Sequence, residues 1–284
     1  MTHTDSSDNT HIMIETQALS AWLDSKLDST VAPLLVFVGS LDSFLSAHIP
    51  GSVHIAPSEL VCGIAHAAGK IADEDDLSAL FSRIGLHSDS IVIAYDDEGG
   101  GWAGRLIWTL DVIGHRHYRF LNGGINAWIA DGLPTASGTT NNATQTEFHA
   151  HIDRQQIATS TSIIEQLQHP DFRIWDARSA AEHSGEKALA ARGGRIPGAA
   201  NLDWLELMDR ANALRLKPLD DIRAMLAKRG ITESSSVVTH CQSHHRSGLS
   251  YLVGKLLGLD IKAYDGSWSE WGNLPNTPVE SDFN

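Results

Sequence analysis

The chain has 284 residues, enough for two ordinary domains or one large one. It is 42% hydrophobic and 20% charged, which is globular composition, and its net charge of −14 argues against nucleic acid or anionic membranes as general partners. Only two cysteines, Cys62 and Cys241, are present, so no disulfide framework is expected. The polar start MTHTDSSDNT and the lack of any run of about 18 apolar residues predict a soluble, cytoplasmic protein.

In chain order, residues 1–11 read as disordered. Ile12 to about Leu27 reads as an amphipathic helix with Leu19, Trp22, Leu23 and Leu27 on one side. Leu34 to Val38 is a buried strand, and His48 to Val53 contains an Ile-Pro-Gly turn. Glu74 to Ile84 has the helical spacing Leu77, Leu80, Phe81, Ile84. Ile91 to Tyr95 is a strand, followed by the loop Asp96 to Gly101 and a helix carrying Ala103, Leu106, Ile107 and Leu110. Tyr118 to Leu121 is a further strand, closed by Asn122-Gly123-Gly124 and Trp128. Pro134 to Ala150 is rich in Thr, Ser, Asn and Gly and reads as an interdomain linker.

The same order then returns. Ile157 to Leu167 is helical, Phe172 to Asp176 a strand, and Arg195 to Ala200 repeats the Ile-Pro-Gly turn. Leu219 to Lys228 is a helix, Ser236 to Thr239 a strand, and Ile261 to Tyr264 another, with Trp271 in the place of Trp128. The offset is about 145 residues. Two copies of one α/β unit with a largely parallel sheet are therefore expected: residues 12–134, a linker 135–150, and residues 151–284.

The distinctive stretch is His240-Cys241-Gln242-Ser243-His244-His245-Arg246-Ser247-Gly248. Behind it Leu249, Leu252, Val253, Leu256 and Leu257 form a helical stripe, and Gly258 stands where the helix should end. Cys241 thus falls at the end of a strand, before a short loop onto a helix N-terminus. Unpaired backbone N–H groups and the helix dipole favour a thiolate there, and His244, His245 and Arg246 are expected to act in the same direction. A buried structural cysteine before a solvated polar loop is the plainer alternative. At the matching place the first unit has Asp96, followed by Asp97 and Glu98, which suit a helix N-terminus but cannot serve as a thiolate nucleophile.

The tandem repeat, the Ile-Pro-Gly-Ala turn, Asp176-Ala177-Arg178, the lone strand-end cysteine and Gly266-Ser-Trp-Ser-Glu-Trp-Gly272 together resemble a tandem-domain rhodanese, from about Thr30 to Glu280. The loop Cys-Gln-Ser-His-His-Arg is similar to a bacterial subgroup of that family. The resemblance implies two rhodanese-like α/β domains, each a mostly parallel sheet with helices on both faces, the first inactive and the second catalytic. It implies a sulfurtransferase whose Cys241 takes the outer sulfur of a small anionic donor, thiosulfate, as a persulfide and yields it to a thiophilic acceptor such as cyanide or a thiol. Gln242, Ser243, His244, His245, Arg246 and Ser247 would then cradle that sulfur, with Arg246 available to thiosulfate's charge. Asp176 and Arg178 either brace this loop or form a plain salt bridge. No cofactor is implied, and a monomer is expected.

Alternatives remain at this stage: a mercaptopyruvate enzyme, or a persulfide carrier serving a partner protein. A cysteine phosphatase needs arginine six positions after its cysteine, where this chain has Ser247. A metal site of Cys241, His240, His244 and His245 would quench the nucleophile. Trp204 reads as a core or pocket-mouth residue, Arg192 and Arg195 as anion-drawing or solvated, Glu182 and His183 as weaker candidates still, and Cys62 as a small core or surface residue.

Overall fold

The computed structural model describes residues 9–25, 32–139 and 144–283. Most of the N-terminal stretch, Leu27, Thr30 and residues 140–143 of the expected linker lie outside them. In the first half, β1 (Met13–Ile14), β2 (Leu34–Val38), β3 (Val53–Ile55), β4 (Val92–Tyr95) and β5 (Tyr118–Leu121) form one sheet in the order β1-β5-β4-β2-β3, parallel at every pairing. The helices are α1 (Thr16–Ser25), α2 (Leu41–Ser46), α3 (Glu74–Arg83), α4 (Gly101–Val112) and α5 (Gly124–Ala130). The N-terminal expectation needs correction. Asn9–Ile12 is a 3-10 turn leading into β1, and Ile12 and Ile14 are buried, so sheet pairing to β5 delays the helix to Thr16.

The second half begins with α6 (Ser160–Gln166), β6 (Phe172–Asp176), α7 (Ala180–Ser184) and β7 (Ala200–Asn201). A small hairpin follows, β8 (Met208–Asp209) with β9 (Arg215–Leu216), and then α8 (Leu219–Ala227). The half closes with β10 (Ser236–His240), α9 (Arg246–Leu256), β11 (Asp260–Ala263) and α10 (Ser267–Trp271). Its sheet, β11-β10-β6-β7, is again parallel throughout. Ile157 makes one parallel bridge to Ala263, so the counterpart of β1 shrinks to a single residue and the predicted helix starts only at Ser160.

Central strands β4 and β10 are buried over almost their whole length because a parallel sheet is covered on both faces. Each feeds a helix, α4 and α9, and these two helices pack on each other across the seam between the halves. Their glycines permit it: a β-carbon on Gly104 would lie 2.3 Å from the carbonyl oxygen of Gly248. Leu106, Trp108, Leu249 and Leu252 join one apolar cluster that runs through both halves. The described part of the linker is strapped down: Ala136 pairs with His48, and Thr146 and Phe148 hydrogen-bond to Ser82.

Candidate active site

Strand β10 ends at His240, so Cys241 is the first residue beyond the strand rather than its last. The strand stops there because the chain must turn out of the sheet plane to enter α9, and its thiol is left 1% exposed beneath the loop. His244 adopts φ +53°, a left-handed turn that few non-glycine residues take. Ser267 Oγ holds that turn, accepting the N–H of His244 at 3.0 Å and that of Cys241 at 3.3 Å. The first half closes over it: a β-carbon on Gly69 would lie 2.1 Å from the Ser243 carbonyl oxygen.

Burial would push the Cys241 thiol up. The Arg246 charge, the Ser247 hydroxyl and N–H, and the His245 charge outweigh it and hold the thiol below its usual value. The two loop histidines therefore differ. His244 is completely buried, and burial with the nearby Arg105 charge holds it well below its usual pKa. It is neutral and adds no charge to the site, contrary to the expectation from sequence. His245 stacks on Trp102 with 4.4 Å between centroids and lies 5.5 Å from the Trp204 ring, and its Nε2 pairs with Glu98.

Arg246 forms a two-pronged pair with the buried Glu182 carboxylate, at 2.7 and 2.8 Å. Burial would raise Glu182, but its hydrogen bonds from Arg246 and that charge bring it down to about 2. Arg246 is thus already matched to a carboxylate, and its charge reaches Cys241 from a fixed position. Gln242 Nε2 donates to the Leu189 carbonyl at 3.0 Å, which ties that side chain to the segment carrying Leu189.

Asp176, at the end of β6, accepts from Arg178 at 2.7 Å and lies 2.9 Å from His183 Nδ1. His240 Nε2 stands 3.9 Å away from the same carboxylate. Burial brings His240 down to about 4, and the Arg178 pair helps hold Asp176 ionised against its own burial. Arg178 also lies 4.3 Å over the Trp268 ring and donates to the Gly194 carbonyl, tying β6 to α10. Glu182 and His183, the weaker candidates from sequence, belong to this network. Arg192 is held by the carbonyls of Trp271 and Thr277, and Arg195 pairs with Asp282, so both are structural. Cys62 is exposed. Among the described residues no three His, Cys, Asp or Glu side chains converge as metal ligands.

The corresponding place in the first half is filled. Asp96 is fully buried, and its carboxylate accepts the N–H groups of Gly99 at 3.1 Å, Gly100 at 2.8 Å and Ala103 at 3.0 Å. The anion cradle at the N-terminus of α4 thus holds the chain's own carboxylate.

Residues 20–131 and 159–274 each match the rhodanese-like domain family. The thiosulfate sulfurtransferase of Pseudomonas aeruginosa is 44% identical over 254 residues, covering 87% of this chain and 90% of that protein. That of Azotobacter vinelandii is also 44% identical, with the same coverage. The anaerobic ergothioneine biosynthesis enzyme of Chlorobium limicola, solved with trimethyl histidine, superposes with a TM-score of 0.86 at 21% identity, covering 98% of this chain and 72% of that one. The chain belongs to the rhodanese family, as two tandem rhodanese-like units. No helix among the described residues is long and apolar enough to cross a membrane.

Proposed function

We propose that the chain is a sulfurtransferase that takes the sulfane sulfur of thiosulfate onto Cys241 and passes it to a thiophilic acceptor such as cyanide. One observation carries this reading. Of two equivalent cradles, one is plugged by Asp96 and the other presents a thiol held below its usual pKa.

In the first step the Cys241 thiolate attacks the outer sulfur of thiosulfate. The S–S bond of the donor breaks, its electron pair leaves with sulfite, and Cys241 retains a persulfide whose terminal sulfur is anionic. In the second step cyanide attacks that terminal sulfur; thiocyanate leaves and the thiolate returns. No proton need move in either step. The Ser247 hydroxyl and N–H stabilise the sulfur charge as an oxyanion hole stabilises oxygen. Arg246 supports the thiolate electrostatically from its seat on Glu182, while Asp176 and Arg178 brace the strand end behind it. The likeness to two thiosulfate enzymes at 44% identity supports thiosulfate as donor.

The test is thiocyanate formation from cyanide with thiosulfate and, separately, with mercaptopyruvate, by the native protein and Cys241→Ser. Turnover with thiosulfate that the substitution abolishes is expected. Faster turnover with mercaptopyruvate would overturn the donor assignment, and no turnover with either would overturn the activity.

A further inference from the structure

Arg105, on α4 of the first half, is a fully buried cation with no carboxylate hydrogen-bonded to it among the described residues. Its two terminal nitrogens donate to the carbonyls of Gly69 at 2.7 Å and Leu60 at 2.8 Å, and its guanidinium lies 4.6 Å over the Trp108 ring. Trp108 in turn meets His244 edge to face, with centroids 4.5 Å apart. His244 Nδ1 is 2.8 Å from Ser247 Oγ, while His244 Nε2, Arg105 Nε and Trp108 Nε1 are buried without a hydrogen-bond partner among the described residues.

A hydroxyl has one proton to give. With Cys241 a thiolate, the Ser247 proton must point to sulfur, so Ser247 Oγ must accept from His244 Nδ1–H. Were the imidazole proton on Nε2, Nδ1 would compete with the sulfur for the Ser247 proton. We propose that Arg105 is a positioning residue that sets the direction of the chain His244 Nδ1–H to Ser247 Oγ–H to Cys241 Sγ. A fixed cation and an unpartnered indole N–H beside the imidazole favour a bare Nε2 and oppose a second ring proton. The charged groups acting on His244 are Arg105 from α4 and His245 from its own loop; Glu98 pairs with His245, and Asp265, Cys241 and, least, Cys62 act on Arg105. The first half thereby sets the hydrogen bonding of the reactive sulfur. This inference rests on the reading of Cys241 as the reacting thiol.

The experiment uses full-length protein carrying Cys62→Ser, so that Cys241 is the only thiol, with histidine nitrogens labelled. Long-range proton–nitrogen correlation spectra should show His244, assigned by its loss in His244→Asn, as the neutral Nδ1–H tautomer from mildly alkaline to mildly acidic buffer. An Nε2–H tautomer or a protonated ring in that range would overturn the proposal. In Arg105→Met, part of the neutral His244 should shift to the Nε2–H tautomer, and Cys241 alkylation by iodoacetamide should show a fall absent from the parent. That fall should vanish when His244→Asn is added; its persistence would show that Arg105 acts otherwise and sink the idea. Should Arg105→Met not fold, the tautomer in the Cys62→Ser protein still decides. None of these readouts requires sulfur transfer, so failure of the proposed activity would be seen separately.

Discussion

Glu98 and His245 meet across the seam between the halves, and Trp102, four residues beyond Glu98, stacks flat on the same imidazole. The loop that follows β4 in the first half is thus a wall of the Cys241 site. Removing the carboxylate in Glu98→Gln should free His245 to rotate within the Trp102 and Trp204 contacts. Misplacement of a site group on this scale costs about ten- to a hundredfold in kcat/KM. Steady-state kinetics with thiosulfate and a thermal melt check this: activity should fall while Tm changes little, and an unchanged kcat/KM would contradict it.

Arg246 supplies the largest favourable charge on Cys241. Arg246→Gln should therefore raise the pH at which the thiol ionises and slow its alkylation at neutral pH. Iodoacetamide rates measured across pH, with Cys62→Ser as the parent, would show the midpoint move upward. A midpoint that stays in place would mean that Ser247 and the helix N-terminus suffice.

The Glu182–Arg246 pair also sets acid stability. Glu182 is held down at about 2 in the folded chain, below its ordinary range, and Asp176 is held far lower still. Carboxylates depressed on folding contribute stability in full above their unfolded values and lose it as pH falls through the folded ones. Melting temperature should accordingly drop below about pH 4.5, and the Glu182 contribution should be gone near pH 2. Glu182→Gln should be less stable at neutral pH, its curve converging on the native one as pH falls towards 2; parallel curves would contradict the assignment.

Much of this was legible from residues alone. Parallel strands buried on both faces, such as Leu34 to Val38 and Phe172 to Asp176, stand out as apolar runs whose ends the structure reproduces. The repeat pointed to Asp96 as the counterpart of Cys241, because a strand, a polar loop and a helix recur at one spacing. That the Asp96 carboxylate would fill its own cradle depended on the loop closing onto Gly99, Gly100 and Ala103, which spacing does not specify. The loop histidines look alike in sequence because their residue type is the same. What separates them comes from the other half: Arg105 and Trp108 around His244, Glu98 and Trp102 around His245. Pairings between residues some 140 positions apart leave no local pattern.

The seam itself is open to test. Gly104→Ala places a β-carbon 2.3 Å from the Gly248 carbonyl oxygen, with no flexible side chain there to move aside. Separating α4 from α9 should cost about 1–3 kcal/mol, as overpacking of a tight core does. Because one apolar cluster runs through both halves, calorimetry should show a single transition at lower temperature. Splitting into two transitions, or no change in Tm, would contradict this picture of the interface.

The central claim is that Cys241 itself carries the sulfur. The direct measurement is intact and peptide mass spectrometry of the protein mixed with thiosulfate in the absence of any acceptor. The account predicts a chain one sulfur atom heavier, with the added mass on the Cys241 peptide, lost on adding cyanide and absent in Cys241→Ser. Added mass on Cys62, or thiocyanate formation with no sulfur ever found on Cys241, would contradict it.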